Sequence, residues 1–531
     1  MNEKNLNSNQ FKFFLLEIII DLLSFGNLSI NDGFLNTFNL NYKNNQNEEI
    51  SSTSFSSKNN TSNFFNLNTN NNSNSNNNIS LSTYLKDIII DKMSYKKYCP
   101  NKIILFCGKN DFYESGTETQ KNNIYFPNIV YNINNKNIHL IFSGNENNFV
   151  INKENNKIYS WGNNEYNKCG ITINNNSEKN IIKIPTLISF FKKNKEQIIQ
   201  IISKDTKSTL FLTKNNNIYI IGFNYITNEY CDIPTLLNIN QYLNENGEKI
   251  IKIEGGEEFY ILFSNMGNVY SFGKYNYGQL GFDINNLNHI NSEYISTPTQ
   301  IIELNSINNI IDINAGKNHC FAINTLNEVY CWGFSNCGQL GLNFCKETKG
   351  NDENCIISKP IINKYLSDIK IKEIYSGNNF SIFKNEKSEL LTCGNNDKIQ
   401  LGIIDNLNVS NNMTTHCNDF ILPTQIESFI NFKVLKVSCG ENHCLGIIED
   451  EISKIINLWS WGDNTYGQLG LGKNIKKNYP KPINSLFEYI EHIPIDISCG
   501  NNHSLILIEK KGAKEIENNL KKIIEQYGIN F

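Results

Sequence analysis

Three histidines occupy the same place in a repeated frame, and histidine is the side chain most ready to bind a metal or move a proton near neutral pH. The frame reads apolar-Gly-x-Asn-His and is clearest from Gly316 to His319, Gly440 to His443 and Gly500 to His503. Degraded copies fall at Gly144, Gly256 and Gly377, and the copy near Ser203 to Lys207 has lost both Gly and His. Metal ligands must converge on one ion at about 2–2.5 Å. One slot repeated along a chain instead points each His the same way within its own unit, so the pattern favours hydrogen bonding to local backbone. Cysteine is the other candidate. The 14 cysteines contain no C-x-x-C pair, and the nearest approaches, Cys439 to Cys444 and Cys331 to Cys337, do not suit a zinc ribbon or a dithiol redox site. Cys107, Cys393, Cys439 and Cys499 lie inside repeated frames, where a thiol serves as a small buried hydrophobe. Free thiols in a reducing, intracellular compartment, cytoplasmic or nuclear, are the expectation. No Ser-His-Asp order, phosphate loop, dinucleotide fingerprint or carboxylate pair stands out. The sequence therefore predicts no catalytic residue, no metal and no cofactor, and it reads the acidic cluster Glu254, Glu257 and Glu258 as a solvated face.

Charge and composition narrow the partners. All 48 basic residues are Lys, so no Arg fork can clamp a phosphate, read guanine or stabilise a phosphoryl transition state. The net charge of −4 gives no basic field for DNA or a nucleosome. The most apolar stretch, 13–25, is short and carries Glu17 and Asp21, which suits an amphipathic helix better than a membrane span. Residues 40–80 are rich in Asn and Ser and cannot bury enough apolar surface to offset their chain entropy. The expected organisation is a largely disordered region over 1–98 with short helices at 13–25 and 84–97, a repeat domain over 99–511, and a short C-terminal helix over 512–531.

The repeat domain is carried by a second frame, apolar-Tyr-x-Trp-Gly-x-x-x-x-Gly-Gln-Leu-Gly. It is best kept in Trp332-Gly333 with Gly338, Leu340 and Gly341, and in Trp461-Gly462 with Gly467, Leu469 and Gly470. A third copy places Phe272 in the Trp position beside Gly273, followed by Gly278, Leu280 and Gly281. Weaker copies lie at Trp161-Gly162, Gly222 and Gly394, and the most degraded is Phe106-Cys107-Gly108. Seven prolines follow the same period: Pro127, Pro185, Pro234, Pro298, Pro360, Pro423 and Pro482. Three markers each recur about seven times, and repeats of this length point to a propeller or solenoid.

Each unit converts into four antiparallel strands: a short one after Pro, one running into Gly-x-Asn-His, one through the His, and one ending in Trp-Gly. Four-stranded units repeated seven times predict an all-β, seven-bladed β-propeller, which disposes of exposed sheet edges by closing on itself. The chain opens with a lone Trp-Gly strand (103–108) and ends with a lone Gly-Asn-Asn-His pair (495–508). Joined, they would complete the seventh blade. Gly in these frames marks tight turns or close backbone approach, while Trp, Tyr and Leu supply the faces buried between blades.

The strings 329–342 and 458–472, with Gly316-Lys317-Asn318-His319 and Gly440-Glu441-Asn442-His443, closely resemble the repeat of the regulator of chromosome condensation family of seven-bladed propellers. Blades of WD-repeat propellers are shorter and end in Trp-Asp, and kelch blades carry a different Gly-Gly signature. The resemblance implies a monomeric module that binds a protein partner on one ring face. It also implies a link to small-GTPase regulation, including the family's founding activity, guanine-nucleotide exchange on a Ran-like GTPase. Exchange is not covalent catalysis, and the loops that would perform it lie outside the repeat; the longest here are 282–297, 342–359 and 403–422. The basic arm expected of a chromatin binder is replaced by the Asn/Ser tract.

Overall fold

A computed structural model describes residues 101–511, apart from 119–122, 134–136, 153, 174–179, 244–246, 284–292, 305–308, 344–354, 404–419, 474–478 and 484–491. The disordered region and helices expected over 1–98, and the helix expected over 512–531, lie outside the described residues. Among those described, the chain folds into seven four-stranded antiparallel sheets. Blade one spans 138–187, blade two 198–237, blade three 250–300, blade four 310–362, blade five 371–425 and blade six 432–482. Blade seven joins 492–510 to 102–129.

Blade four shows how the sequence builds each unit. Its inner strand is Ile310–Ala315, its second His319–Asn324, its third Val329–Phe334 and its outer strand Ile356–Ile362. The second strand is buried at all six positions, because both its faces meet neighbouring blades. A strand covered on both sides cannot alternate apolar and polar residues, and His-Cys-Phe-Ala-Ile-Asn does not. The hairpin after it turns at Asn327, held in the left-handed region at φ 63°. The Asn324 side chain accepts the backbone N–H groups of Leu326 and Glu328 there at 3.0 and 2.9 Å.

The prolines sit differently from their expected place at a strand start. Each lies within an outer strand hydrogen-bonded to the Trp-Gly strand before it, and Pro127, Pro185, Pro234, Pro298, Pro360 and Pro423 each fall where the pairing register shifts. An outer strand has one free edge, so a missing N–H costs no ladder bond there. The neighbouring blade explains why proline is favoured. A Cβ on Gly341 of blade four would lie 3.0 Å from the Pro423 ring of blade five, and one on Gly470 would lie 3.0 Å from Pro127. The last Gly of Gly-Gln-Leu-Gly and the next blade's Pro thus form one contact.

The same correction shifts the seam of the ring. The strand Lys481–Pro482 belongs to blade six, where Trp459 faces Pro482. Blade seven therefore takes two strands from each end of the chain, His492–Cys499 and His503–Lys510 with Lys102–Lys109 and Asn123–Ile129. The central pair runs from Lys102 opposite Glu509 to Gly108 opposite His503. Ring closure by both ends stands as expected, with a two-plus-two division of strands.

Between blades, Trp161, Trp332 and Trp461 are wholly buried. Trp332 packs with Phe259, Leu280 and Ile301 of blade three and with Ala315 and Cys320 of its own blade. Trp332→Ala should cost about 3–5 kcal/mol as a large-to-small core change, read from the denaturation midpoint. Deleting residues 1–100 should leave a cooperatively folded ring, whereas deleting 1–109 removes the strand facing His503–Lys510. The longer deletion is expected to aggregate or to melt far lower than the loss of nine further residues would explain. Equal melting temperatures for the two deletions would contradict the shared blade.

Candidate functional site

The repeated motifs meet at the junctions between blades. At the junction of blades four and five, His319 Nε2 lies 3.0 Å from Ser381 Oγ, and Ser381 Oγ donates to the backbone carbonyl of Gln339 at 2.8 Å. Because that hydroxyl is spent on the carbonyl, His319 must donate through Nε2–H, which fixes its tautomer. The junction of blades six and seven repeats the relay: His443 Nε2 to Ser504 Oγ at 2.9 Å, then Ser504 Oγ to Gln468 O at 2.8 Å. Between blades seven and one, His503 Nε2 meets Asn148 Oδ1 at 2.9 Å, and Asn148 Nδ2 donates to Glu114 O at 3.0 Å.

One carbonyl gathers these donors. Gln279 O receives Trp332 Nε1 at 3.0 Å and Cys320 Sγ at 3.4 Å, and Gln400 O receives Trp461 Nε1 at 3.0 Å. Gln339 O also takes the thiol of Cys393, and Gln468 O that of Cys107, the two cysteines in the Trp slot. The Gly-Gln-Leu-Gly loop of one blade is thus bound by the Trp-slot residue and the residue after His of the next. Glycine is obligatory beside the ring: a Cβ on Gly316 would lie 2.1 Å from His319 Cε1, and one on Gly440 would lie 2.2 Å from His443 Cε1. At Gly333, with φ 99°, a Cβ would meet the Asn318 carbonyl at 2.5 Å.

The three histidines therefore occupy three separate junctions, each wholly buried. Burial pulls the imidazoles down, to about 3 for His319 and His503 and about 4 for His443. Among the described residues, no group of three or more His, Cys, Asp or Glu is placed to hold a metal. The eleven described cysteines are free, and burial raises most of their thiols, Cys169 and Cys499 to about 12. The acidic cluster is not a solvated face. Glu254 and Glu258 are buried, Glu258 binds Lys207 and Lys274 together, Glu254 pairs with Lys252 at 3.5 Å, and Glu257 pairs with Lys317 at 3.4 Å.

Departures from the repeat concentrate on one arc, which includes the degraded copy near Ser203 to Lys207. Glu114 stands in the Gln slot of blade seven, and Lys168 in that of blade one, where Lys168 O receives Thr209 Oγ1 at 2.9 Å. Glu114 Oε2 accepts the Phe112 N–H at 2.8 Å, as Gln468 Oε1 accepts that of Tyr466 at 2.9 Å. The second Glu114 oxygen replaces an amide donor, so the carboxyl matches glutamine only when it carries a proton. Burial, with smaller contributions from Glu146 and Asp111, raises it to about 8. In blade two the turn after the inner strand is one residue longer, and within it Asp205 Oδ2 accepts Ser208 Oγ at 2.6 Å and Tyr225 OH at 2.7 Å. Burial raises Asp205, while those hydrogen bonds and the Lys207 N–H hold it back.

The axial channel is lined by the turns that carry the Gly-x-Asn motif, including Asn145, Glu257, Lys317, Asn378 and Asn501. These turns lock to one another: Glu257 N donates to Lys317 O at 2.9 Å, Glu441 N to Asn501 O at 3.1 Å and Asn501 N to Asn145 O at 3.3 Å. Lys204, also on the channel, reaches from blade two to the Ala315 carbonyl of blade four at 2.7 Å. In an antiparallel blade, the inner-to-second and third-to-outer connections emerge on one face. The channel mouth and the Gly-Gln-Leu-Gly loops share it, as do the strand ends that border the three long loops singled out from the sequence; 284–292, 344–354 and 404–419 lie outside the described residues. No described helix is long and apolar enough to cross a membrane.

A closed seven-bladed ring whose motif residues are spent on blade-to-blade contacts, with one loop-bearing face around its axis, defines a propeller scaffold. The chain belongs to the RCC1-like domain family, whose profile matches residues 104–506. Among curated proteins it is similar to the E3 ubiquitin-protein ligase HERC2 of Mus musculus, with 27% identity over 269 residues covering 50% of this chain and 5% of HERC2. It is also similar to Protein pim1 of Schizosaccharomyces pombe, with 29% identity over 229 residues covering 43% of this chain and 39% of pim1. Protein RCC2 homolog of Xenopus laevis is 24% identical over 392 residues, 70% of this chain and 68% of its own length. The chain thus spans well under two thirds of HERC2 and of pim1. Prp20p of Saccharomyces cerevisiae shares the fold with a TM-score of 0.66 at 20% identity, covering 80% of this chain and 95% of that one. Human WBSCR16 gives 0.58 at 16% identity, covering 77% of this chain and 99% of the other.

Two pH dependences follow, of opposite sign. The buried histidines bind protons in the unfolded chain below pH 6.5 but not in the ring until about pH 4 to 3, so stability falls as pH drops through that window. Glu114 is the reverse. The ring holds its proton up to about pH 8 while the unfolded chain releases it near 4.5, so stability falls as pH rises between the two. Glu114→Gln should therefore melt close to the parent at pH 5 and several degrees above it at pH 9. A constant difference across that range would show that Glu114 is ionised in the ring.

Proposed function

We propose that this chain is a non-enzymatic interaction module that engages a protein partner on the ring face bearing the channel mouth and the third-to-outer loops. One observation supports the reading: the motif side chains are consumed at blade junctions, whereas the strands that border the three longest connections all open onto that face. The partner class favoured is a component of a small-GTPase pathway. Prp20p has been described with binding properties to Gsp1p and histones, and yeast RCC1 (Prp20) bound to Kap60. That similarity supports a second, narrower reading, in which the ring face loosens nucleotide from a small GTPase. Histone or DNA binding is disfavoured here by the net charge of −4 and the absence of Arg.

Charge reversal separates the two faces. Asp111 and Lys398 are exposed in third-to-outer loops, and Lys387 is exposed in a hairpin of the opposite face. With the full chain as bait in native lysate, Asp111→Lys with Lys398→Glu should remove a stoichiometric protein partner that Lys387→Glu retains. Equal loss from both variants, or turnover of a small molecule without a partner, would defeat the reading. The narrower one requires faster release of a fluorescent GDP analogue from a small GTPase of the same cell. No acceleration at micromolar chain concentrations would remove it.

A further inference from the structure

The junction of blades one and two exposes a stacked pair of aromatic rings. Tyr166, in the third-to-outer loop of blade one, stacks on Tyr230 at the start of the outer strand of blade two, with centroids 5.1 Å apart and planes 14° from parallel. Tyr230 is 55% exposed and Tyr166 37%. Phe223 meets the other side of Tyr230 at 5.1 Å. The pair is held in place rather than loosely laid down. Asn167 Nδ2 donates to Asp232 Oδ1 at 2.9 Å, Thr172 Oγ1 donates to the Asp232 carbonyl at 3.2 Å, and Tyr166 and Asn167 are both left-handed, at φ 58° and 59°. Blade two leaves room for this surface because only residues 225–228 connect its third and outer strands, with no Gly-Gln-Leu-Gly loop.

The charge around the stack is one-sided. Glu165, Glu229 and Asp232 are exposed beside it in sequence, and none has a lysine partner among the described residues. Among the described residues the cation nearby is Lys207, which is held by Glu258 and lies 5.9 Å from the Phe223 ring centroid and 3.2 Å from Tyr294 OH. The Glu165 carboxylate is close enough to raise the Tyr166 hydroxyl above its ordinary value.

Elsewhere on this face the ring fills the equivalent place either with a second aromatic, as where Phe334 lies 4.8 Å from Tyr277, or with a cation of its own. Tyr466 occupies in blade six the slot that Tyr166 occupies in blade one, four residues after the Trp-Gly glycine, and Lys109 of the next blade lies 5.6 Å from its ring centroid. At the neighbouring junction, Lys183 of blade one lies 5.0 Å from the ring of Tyr113. The residue that corresponds to Lys109 in blade two is Phe223, as Phe334 is in blade four, but here the tyrosine pair beside it is left open to solvent.

We propose that the exposed Tyr166–Tyr230 stack, flanked by Glu165 and Glu229, receives a lysine or arginine side chain from an extended basic segment of the protein partner. The inference rests on the ring-face reading and deepens it: the cation lies over a ring face, where the quadrupole attracts it, and the carboxylates add sequence-tolerant attraction. It specifies a partner with a cationic segment at the outer edge of the face, complementary to a chain that has no arginine of its own.

The test uses the full chain and a fluorescein-labelled dodecapeptide of alternating glycine and arginine, followed by anisotropy at low salt, with a glycine–glutamate dodecapeptide as control. The expected result is saturable binding of the arginine peptide alone. Tyr166→Leu with Tyr230→Leu should weaken it about tenfold, while Tyr166→Phe with Tyr230→Phe, which keeps both ring faces, should stay within about twofold. Should the leucine pair fail to fold by circular dichroism, Glu165→Gln with Glu229→Gln provides the second arm and should weaken binding about fivefold. Binding unchanged by the leucine and glutamine pairs would mean only diffuse attraction to an acidic protein and would overturn the proposal. So would capture of a native partner that is undiminished in the leucine pair while Asp111→Lys with Lys398→Glu abolishes it; that outcome leaves the ring-face reading intact and removes the cation site alone.

Discussion

The interaction on which the ring depends is a backbone carbonyl at the mouth of each third-to-outer loop. At six of the seven junctions the residue in the Gln slot offers this oxygen to side chains of the next blade, whether indole, hydroxyl, amide or thiol. Such a carbonyl is cut off from water by the blades it joins, and an unpaired one would carry the full cost of desolvation. The donors can therefore change type, but some donor must be present. That rule accounts for the otherwise puzzling cysteines: Cys107 and Cys393 replace tryptophan because a thiol still reaches the oxygen. It also accounts for the seventh junction, where the loop is missing. Asp205, in the lengthened turn of blade two, brings its own acceptor there, and Ser208 and Tyr225 donate to it.

The fold was legible in the sequence because each motif residue is fixed by a neighbour one blade away. A histidine requires glycine three residues earlier, since any Cβ there would enter the imidazole ring, and the Gly of the preceding loop requires the next blade's proline. Constraints that repeat seven times survive the loss of several copies. The position of the prolines was harder to read, because a proline at a strand start and one at a register shift of an outer strand have the same local sequence. Only the partner strand distinguishes them, and pairing is a property of the assembled blade.

The candidate site was much less legible. Its residues are not repeated, so no second copy marks them as unusual. Glu114 and Lys168 look like ordinary surface charges until the motif is counted forward from Gly108 and Gly162, which places both in a buried slot. Glu258 likewise reads as part of an acidic run, yet two lysines from separate strands converge on it. Tyr166 and Tyr230 are 64 positions apart, and nothing local to either implies that they stack. Periodic sequence reveals what neighbouring blades share, whereas residues that differ from blade to blade have no second copy to mark them.

The two-plus-two seam has a mechanical meaning. Lys510 N donates to the Asn101 carbonyl at 2.7 Å, and Lys102 lies directly opposite Glu509, so the chain enters and leaves the ring side by side. A pull applied to the two ends would act across the ladder between these strands and break its hydrogen bonds one after another, as in a zip. Strands loaded along their length share force over all their bonds at once, and this pair cannot. The ring is closed against thermal opening by seven opposed residue pairs, but against tension it is only as strong as the bond at its edge. Any load-bearing attachment to this propeller would hold better through a blade face than through the two ends of its chain.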